Sequence, residues 1–171
     1  STTGASNITN TKPLMITHKG TTLAVAHNGN LVNSIALRNR LEEKGSIFQT
    51  TMDSEVVLHL MARATNGSFE EALTTAFREM KGAFSMLMMT KDTMVAVRDP
   101  NGFRPLCLGK LNNGGYIVAS ETCALDLVEA RYIRDLGPGE ILICRGDELT
   151  SIYPWEKQRT SFCIFENVYF A

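Results

Sequence analysis

The most informative pattern in the chain is a short apolar run that ends abruptly in polar residues. Leu23 to Ala26 is continuous and apolar, which predicts a buried strand. The next four residues, His27-Asn-Gly-Asn30, are of types that favour turns. A helix is then predicted from about Leu31 to Lys44, with Gly45 capping its C-terminus. The pattern therefore predicts a strand that stops at Ala26 in a cluster of polar groups.

Apolar residues at helical spacing predict two further helices. Asp53 is placed as the N-cap of a helix that runs to about Ala64. Ser68 and Glu71 form a capping-box pattern ahead of a strongly amphipathic segment that ends at Gly82. This third segment gives the clearest helical signal in the sequence.

Apolar segments bounded by turn residues predict the strands. The predicted strands are 13–17, 22–26, 83–90, 94–98, 105–108, 116–119 and 140–144, and a short helix is predicted at 123–128. Helices in one run and hairpin-linked strands in another indicate a layered α+β fold, with packed sheets and helices outside. We find no repeat or linker, so residues 1–171 are predicted to form one domain.

Composition excludes several classes of function. The chain has 171 residues, 44% of them hydrophobic, and a net charge of −1. It has no basic block of the kind that binds nucleic acid, and its apolar runs are too short to cross a membrane. The four cysteines have no Cys-x-x-Cys spacing, which favours reduced thiols and a cytoplasmic protein over a structural zinc site.

Asn28 and Gly29 are the first candidates for chemistry. Asn28 offers a side-chain NH2, and Gly29 lets another molecule approach its backbone N–H closely. Two adjacent donors of this kind can form an oxyanion hole for acyl transfer. The alternative interpretation is an Asn-Gly hairpin turn.

Other polar residues have both a functional and a structural interpretation. Asp53 could hold the α-ammonium group of an amino acid, or it could be only a helix cap. Thr2 could bind a small substrate, and His27 could be a base or a structural residue. The histidines lack ligand spacing, so we predict no metal triad.

The remaining candidates favour structural roles. Arg98, Asp99 and Arg104 bracket a turn, where paired charges can order the loop. Cys163 could be a nucleophile or a ligand, but its apolar surroundings favour a buried thiol.

Together, several motifs resemble the glutaminase domain of the amidophosphoribosyltransferases, which are class II glutamine amidotransferases. These motifs are His27-Asn-Gly-Asn-Leu-Val-Asn33, Thr51-Met-Asp-Ser-Glu55, Lys81-Gly-Ala-Phe84, Arg98-Asp-Pro-Asn-Gly-Phe-Arg-Pro-Leu106, Val118-Ala-Ser-Glu121, Pro138-Gly-Glu140 and Cys163-Ile-Phe-Glu-Asn-Val-Tyr-Phe-Ala171. The first three are general to class II, and the later ones favour this family over glucosamine-6-phosphate synthase. The match runs from Ser1 to Ala171.

The resemblance implies an N-terminal-nucleophile hydrolase fold, a four-layer αββα sandwich. An N-terminal cysteine in this family attacks the side-chain amide of glutamine. The ammonia released displaces pyrophosphate from phosphoribosyl pyrophosphate in the first step of purine biosynthesis. By position, Asn28 and Gly29 match the oxyanion hole, Asp53 matches the carboxylate that binds the glutamine α-amine, and Thr2 matches a threonine that helps to hold glutamine.

This sequence departs from the family pattern in its nucleophile. The N-terminal cysteine and its strands are expected before Ser1, and a phosphoribosyltransferase domain is expected after Ala171. We therefore expect an incomplete sandwich that is inactive alone, and a homo-oligomeric parent. Lys12 stands where the family usually has glutamine. The resemblance also implies Mg²⁺ in the parent and, in some members, a [4Fe–4S] cluster with Cys163 as one ligand, whereas residues 1–171 are expected to hold no cofactor.

Two other interpretations remain open from the sequence. Ser1 could be the N-terminal nucleophile, because related hydrolases use serine or threonine there. Alternatively, the chain could be a non-catalytic module that binds an amino acid or presents the apolar segment from Phe165 to Phe170 to a partner.

Overall fold

The computed structural model describes residues 10–18, 20–64 and 67–155. Its strands are β1 (Leu14–His18), β2 (Thr21–Leu31), β3 (Gly82–Met89), β4 (Met94–Arg98), β5 (Cys107–Lys110), β6 (Tyr116–Ala119), β7 (Arg131–Asp135), β8 (Ile141–Arg145) and β9 (Glu148–Ile152). Its helices are α1 (Ser34–Glu43), α2 (Glu55–Arg63), α3 (Phe69–Arg78) and α4 (Cys123–Leu127). Strands, then helices, then mainly strands follow one another as the sequence predicts.

The strands form two antiparallel sheets. The larger has six strands in the order β1-β2-β3-β4-β8-β9, and the smaller has three in the order β6-β5-β7. All five strand pairs of the larger sheet are antiparallel. β1 pairs with Thr21 to Val25 of β2, and β3 pairs with Ala24 to Leu31 of β2. β2 is therefore an inner strand of the larger sheet.

Side-chain alternation along the strands builds four layers. Val95 and Val97 of β4 pack in the core beneath the helices, whereas Ala96 between them packs in the core between the two sheets. In β5, Leu108 faces the same intersheet core, and Cys107 faces outward to Leu125 of α4. The layers are thus α1–α3, the larger sheet, the smaller sheet and the short α4, which confirms the predicted αββα sandwich.

β2 differs from the prediction at its C-terminal end. The strand does not stop at Ala26 but continues through Asn28 and Gly29 to Leu31. Asn28 pairs with Ser85 and Gly29 with Phe84, so backbone pairing to β3 overrides the turn preference of the local sequence. The alternative prediction of an Asn-Gly hairpin turn is therefore wrong. The helix α1 begins at Ser34 rather than near Leu31.

The predicted helix ends are partly confirmed. Gly45 has φ +87°, and the bonds from Gly45 N–H to Glu42 O and from Ser46 N–H to Leu41 O form a Schellman cap. Ser68 and Glu71 form both bonds of the capping box. Asp53 is not the N-cap of α2: that position is Ser54, and no side chain caps the helix there.

Two strands have no clear signal in the sequence. β7 is mostly exposed and rich in charge, and β9 is mostly polar. Both are edge strands, so pairing with one neighbour rather than burial forms them. In the described part of the chain, no helix is long and apolar enough to cross a membrane.

Candidate functional site

Gly29 lies where the backbones of β2 and β3 approach each other closely. Its φ is +127°, a conformation that L side chains rarely adopt. A Cβ at this position would lie 2.2 Å from the carbonyl oxygen of Ala83. Glycine is therefore required at position 29 by backbone conformation and by space together.

Asn28 is half-buried, and its side chain is held at one end. Its Oδ1 accepts a hydrogen bond from Nη2 of Arg104 at 2.6 Å. A guanidinium group can only donate, so the atom that faces Arg104 is the amide oxygen. The amide nitrogen is consequently directed away from Arg104 and can donate to another group.

The loop that carries Arg104 is ordered by Arg98 and Asp99, as the sequence predicts. Asp99 is fully buried, and its carboxylate accepts backbone N–H bonds from Asn101, Phe103 and Arg104 at 2.9–3.1 Å. Arg98 donates to the carbonyl oxygens of Gly102, Arg104 and Leu136. The sequence did not indicate that the same loop would reach Asn28.

Asp53 is bound to β2 on both sides of Asn28 and Gly29. Its Oδ1 lies 3.0 Å from Nδ1 of His27, and its Oδ2 accepts the backbone N–H of Leu31 at 3.0 Å. His27 and Asp53 are 5% and 8% exposed, so the pair is almost completely shielded from solvent. His27 therefore helps to hold the Asp53 carboxylate in place, which agrees with the structural interpretation of His27.

The environment of Asp53 favours the ionised carboxylate. Burial is the largest single effect on the pKa of Asp53 and raises it, whereas the hydrogen bond and charge of His27 lower it. Backbone N–H groups of Leu31 and Ser54 also lower this pKa. The net direction is downward, so Asp53 is a stable negative charge beside the strand.

Glu55 is a supporting residue that the sequence analysis did not single out. It is 3% exposed, and its carboxylate accepts the backbone N–H groups of Gln49 and Thr50, both at 2.8 Å. The Thr50 hydroxyl also donates to it at 2.7 Å. Glu55 thereby fixes the loop that leads into Asp53. An acidic residue in the first helical turn after a polar loop was the available signal.

Lys12 contacts the same segment. Its Nζ donates to the carbonyl oxygen of His27 at 2.6 Å. The residue that departs from the family pattern thus bonds the backbone of β2 immediately before Asn28.

The structure brings together three of the candidate residues and leaves two outside its described part. Asn28 and Gly29 are in β2, and Asp53 is bonded to the residues that flank them. Thr2 and Cys163 lie outside the described residues, as does the segment from Phe165 to Phe170. Within residues 10–18, 20–64 and 67–155, no group of three or more His, Cys, Asp or Glu side chains could hold a metal ion.

The described cysteines are poor nucleophiles. Burial raises the pKa of Cys144 to about 11, and it also raises the pKa of Cys107. Cys123 is exposed, but its thiol donates to Glu121 at 3.3 Å, and this hydrogen bond raises its pKa. A raised pKa leaves little thiolate, which is the reactive form.

Comparisons with known proteins identify the family of the chain. Residues 5–127 match the family model described as a glutamine amidotransferase domain. Amidophosphoribosyltransferase 1, chloroplastic, of Arabidopsis thaliana is 48% identical over the whole chain, which covers 30% of that protein. The amidophosphoribosyltransferase of Staphylococcus epidermidis is 41% identical over 99% of the chain, which covers 34% of that protein. The chain thus spans about a third of the length of these curated relatives.

Solved structures show the same fold. The glutamine phosphoribosylpyrophosphate amidotransferase from B. subtilis, complexed with ADP and GMP, matches 98% of this chain and 37% of its own, with a TM-score of 0.91 and 40% identity. A structure described as the allosteric regulatory enzyme of purine biosynthesis matches with a TM-score of 0.92, also at 40% identity, over 98% of this chain and 36% of its own. The chain therefore belongs to the glutamine amidotransferase domain family, it has the N-terminal-nucleophile hydrolase fold that its motifs imply, and over its full length it is similar to the amidophosphoribosyltransferases.

Proposed function

We propose that this chain is the glutaminase part of an amidophosphoribosyltransferase. In this proposal glutamine and water give glutamate and ammonia. The ammonia then displaces pyrophosphate from phosphoribosyl pyrophosphate and gives phosphoribosylamine. The supporting observation is one strand segment: Asn28 and Gly29 sit between the two β2 residues that bind Asp53.

Each group has a defined part in the proposed reaction. The Nδ2 of Asn28 and the backbone N–H of Gly29 donate to the oxygen that gains negative charge when the glutamine amide is attacked. Asp53 receives the α-ammonium group of glutamine, and its lowered pKa keeps it charged at neutral pH. Thr2 contributes a further hydrogen bond to glutamine.

We place the nucleophile outside residues 1–171. This family uses one cysteine that supplies both the attacking thiol and a free α-amine as its base. The raised pKa values of Cys107, Cys123 and Cys144 argue against any of them in that role. We further propose that phosphoribosyl transfer occurs on a separate domain outside this chain.

Two purified proteins test the proposal. The full-length protein that contains this chain should form glutamate and pyrophosphate in equal amounts from glutamine and phosphoribosyl pyrophosphate. The chain of residues 1–171 alone should form no glutamate. Glutamate production by the isolated chain at the full-length rate would contradict the assignment of the nucleophile. A full-length protein that releases no pyrophosphate with glutamine or with ammonia would contradict the assigned activity.

A further inference from the structure

The orientation of the Asn28 side-chain amide determines whether it can stabilise an oxyanion. Its oxygen and nitrogen are similar in size, and the side chain can present either atom to the site. The nitrogen would donate to a developing negative charge, whereas the oxygen would repel it. An asparagine in this role therefore needs a neighbour that selects one of the two orientations.

Arg104 makes that selection in this structure. Its Nη2 donates to Asn28 Oδ1 at 2.6 Å, and it could not form this bond with the amide nitrogen. We propose that Arg104 is a positioning residue for the glutaminase reaction, which holds the Asn28 amide so that its nitrogen faces the oxyanion. This inference rests on the proposed function and extends it to a residue outside the oxyanion hole.

The loop that carries Arg104 is built to hold one conformation. The Asp99 carboxylate accepts the backbone N–H of Arg104 at 2.9 Å, and Arg98 Nε donates to the carbonyl oxygen of Arg104 at 2.9 Å. Both backbone polar groups of Arg104 are thus held by side chains of the same loop. The guanidinium of Arg104 therefore contacts Asn28 from a backbone that is held in one position.

The same loop is anchored to the strand that pairs with Gly29. The Asp99 N–H donates to the carbonyl oxygen of Phe84 at 2.9 Å, and Phe84 is the β3 partner of Gly29. Arg104 and Gly29 are consequently positioned by neighbouring contacts with one residue of β3. This arrangement fixes the positions of the Asn28 amide and the Gly29 N–H relative to each other.

The test is a double-mutant cycle in the full-length enzyme. Arg104→Met should lower kcat for glutamine hydrolysis about 10-fold to 100-fold, because the Asn28 amide then samples both orientations, and it should leave the KM for glutamine within about twofold. Asn28→Ala should lower kcat by at least as much. In the double variant, Arg104→Met should add no loss to that of Asn28→Ala, because Arg104 acts only through Asn28.

Conservative and matched variants complete the test. Arg104→Lys keeps a cationic donor and should recover part of the kcat lost in Arg104→Met. Arg131→Met removes an exposed arginine from β7 and should leave kcat unchanged. Pyrophosphate release with ammonia in place of glutamine should remain near wild type in every variant, because phosphoribosyl transfer is proposed to occur on a separate domain. Urea unfolding of each variant checks that the glutaminase part itself is folded. If Arg104→Met does not fold, the cycle is run with Arg104→Lys.

The outcomes separate this inference from the proposed function. A kcat for Arg104→Met equal to wild type, or losses that multiply in the double variant, would overturn the positioning role while glutamine hydrolysis stands. A wild-type enzyme that hydrolyses no glutamine would instead overturn the function itself. An Asn28→Ala variant with full activity would overturn the oxyanion-hole assignment, and with it the positioning role of Arg104, while the function stands.

Discussion

Two buried carboxylates in this fold have different surroundings. Glu140 precedes β8 and is 1% exposed, and it accepts four hydrogen bonds: two from Arg134, one from the Gly137 N–H and one from the Ser151 hydroxyl. Asp53 is 8% exposed, and within the described residues its carboxylate is hydrogen-bonded to one side chain, His27, and to the backbone N–H groups of Leu31 and Ser54. Glu140 thus has a donor for each of its oxygen lone pairs, and Asp53 keeps acceptor capacity.

The difference separates a structural carboxylate from a candidate binding group. A fully satisfied carboxylate fixes its corner of the fold and has nothing left to offer a ligand. A carboxylate with remaining acceptor capacity, beside a polar strand segment, can receive a substrate ammonium group. Burial and a lowered pKa are common to both residues, so neither property alone identifies a site.

The largest expected effect is from a change in the strand that holds Asp53. Gly29→Ala should lower the free energy of unfolding by more than about 4 kcal/mol, because the new Cβ would lie 2.2 Å from the Ala83 carbonyl oxygen. Gly114→Ala is the matched control: its φ is +89° and it has open space, so it should cost about 1 kcal/mol. Urea unfolding measures both, and equal losses would show that the close approach of β2 and β3 is not rigid.

Substitution of Glu140 should lower stability without weakening substrate binding. Glu140→Gln replaces an acceptor of four bonds with a neutral amide and should lower the free energy of unfolding by about 3 kcal/mol. The Arg134 side chain is 40% exposed and can regain water, which limits the loss. Urea unfolding gives the stability, and the KM for glutamine in the full-length enzyme should not change. A raised KM would show that Glu140 also affects glutamine binding and is not a purely structural carboxylate.

Asp53→Asn should give the opposite pattern. Loss of the charge should raise the KM for glutamine about 10-fold to 100-fold, the usual range for a hydrogen bond to a charged group. The asparagine keeps one acceptor oxygen, so its stability loss should be smaller than that of Glu140→Gln. Steady-state kinetics in the full-length enzyme measure the KM. An unchanged KM with a large stability loss would assign Asp53 to the structural class.

The smallest effect is on the pH dependence of stability. Burial raises the pKa of Glu140, but the bonds from Arg134, Ser151 and Gly137 lower it below its ordinary value of 4.5. A lowered pKa in the folded state gives stability that is present above pH 4.5 and is lost as the pH falls through the folded value. Urea unfolding between pH 6 and pH 3 should therefore show a shallower acid loss in Glu140→Gln than in wild type. Identical slopes would show that folding does not lower the pKa of Glu140.

Much of the fold follows from local patterns in the sequence. The capping box at Ser68, the glycine cap at Gly45 and the strands β4 and β6 are all where the sequence predicts them. Each depends on interactions within a few residues or on clear apolar periodicity. The sequence also named Asn28, Gly29 and Asp53 as candidates that lie near one another in the structure.

Long-range pairing explains what the sequence did not predict. His27 to Asn30 reads as a turn, but its partners are 53 to 59 positions further along the chain in β3. The contact between Arg104 and Asn28 spans 76 positions and has no local signature. A helix-cap role and a binding role both remain open for Asp53 from the sequence, because the partners of its carboxylate, His27 and Leu31, are likewise distant in sequence.

The most direct test of the account is the kcat for glutamine hydrolysis by the full-length enzyme with Asn28→Ala. If the Asn28 amide stabilises the oxyanion, kcat should fall about 100-fold to 1,000-fold while the KM for glutamine changes little. An Asn28→Ala enzyme that hydrolyses glutamine at the wild-type rate would contradict the assignment of this strand segment as the oxyanion hole.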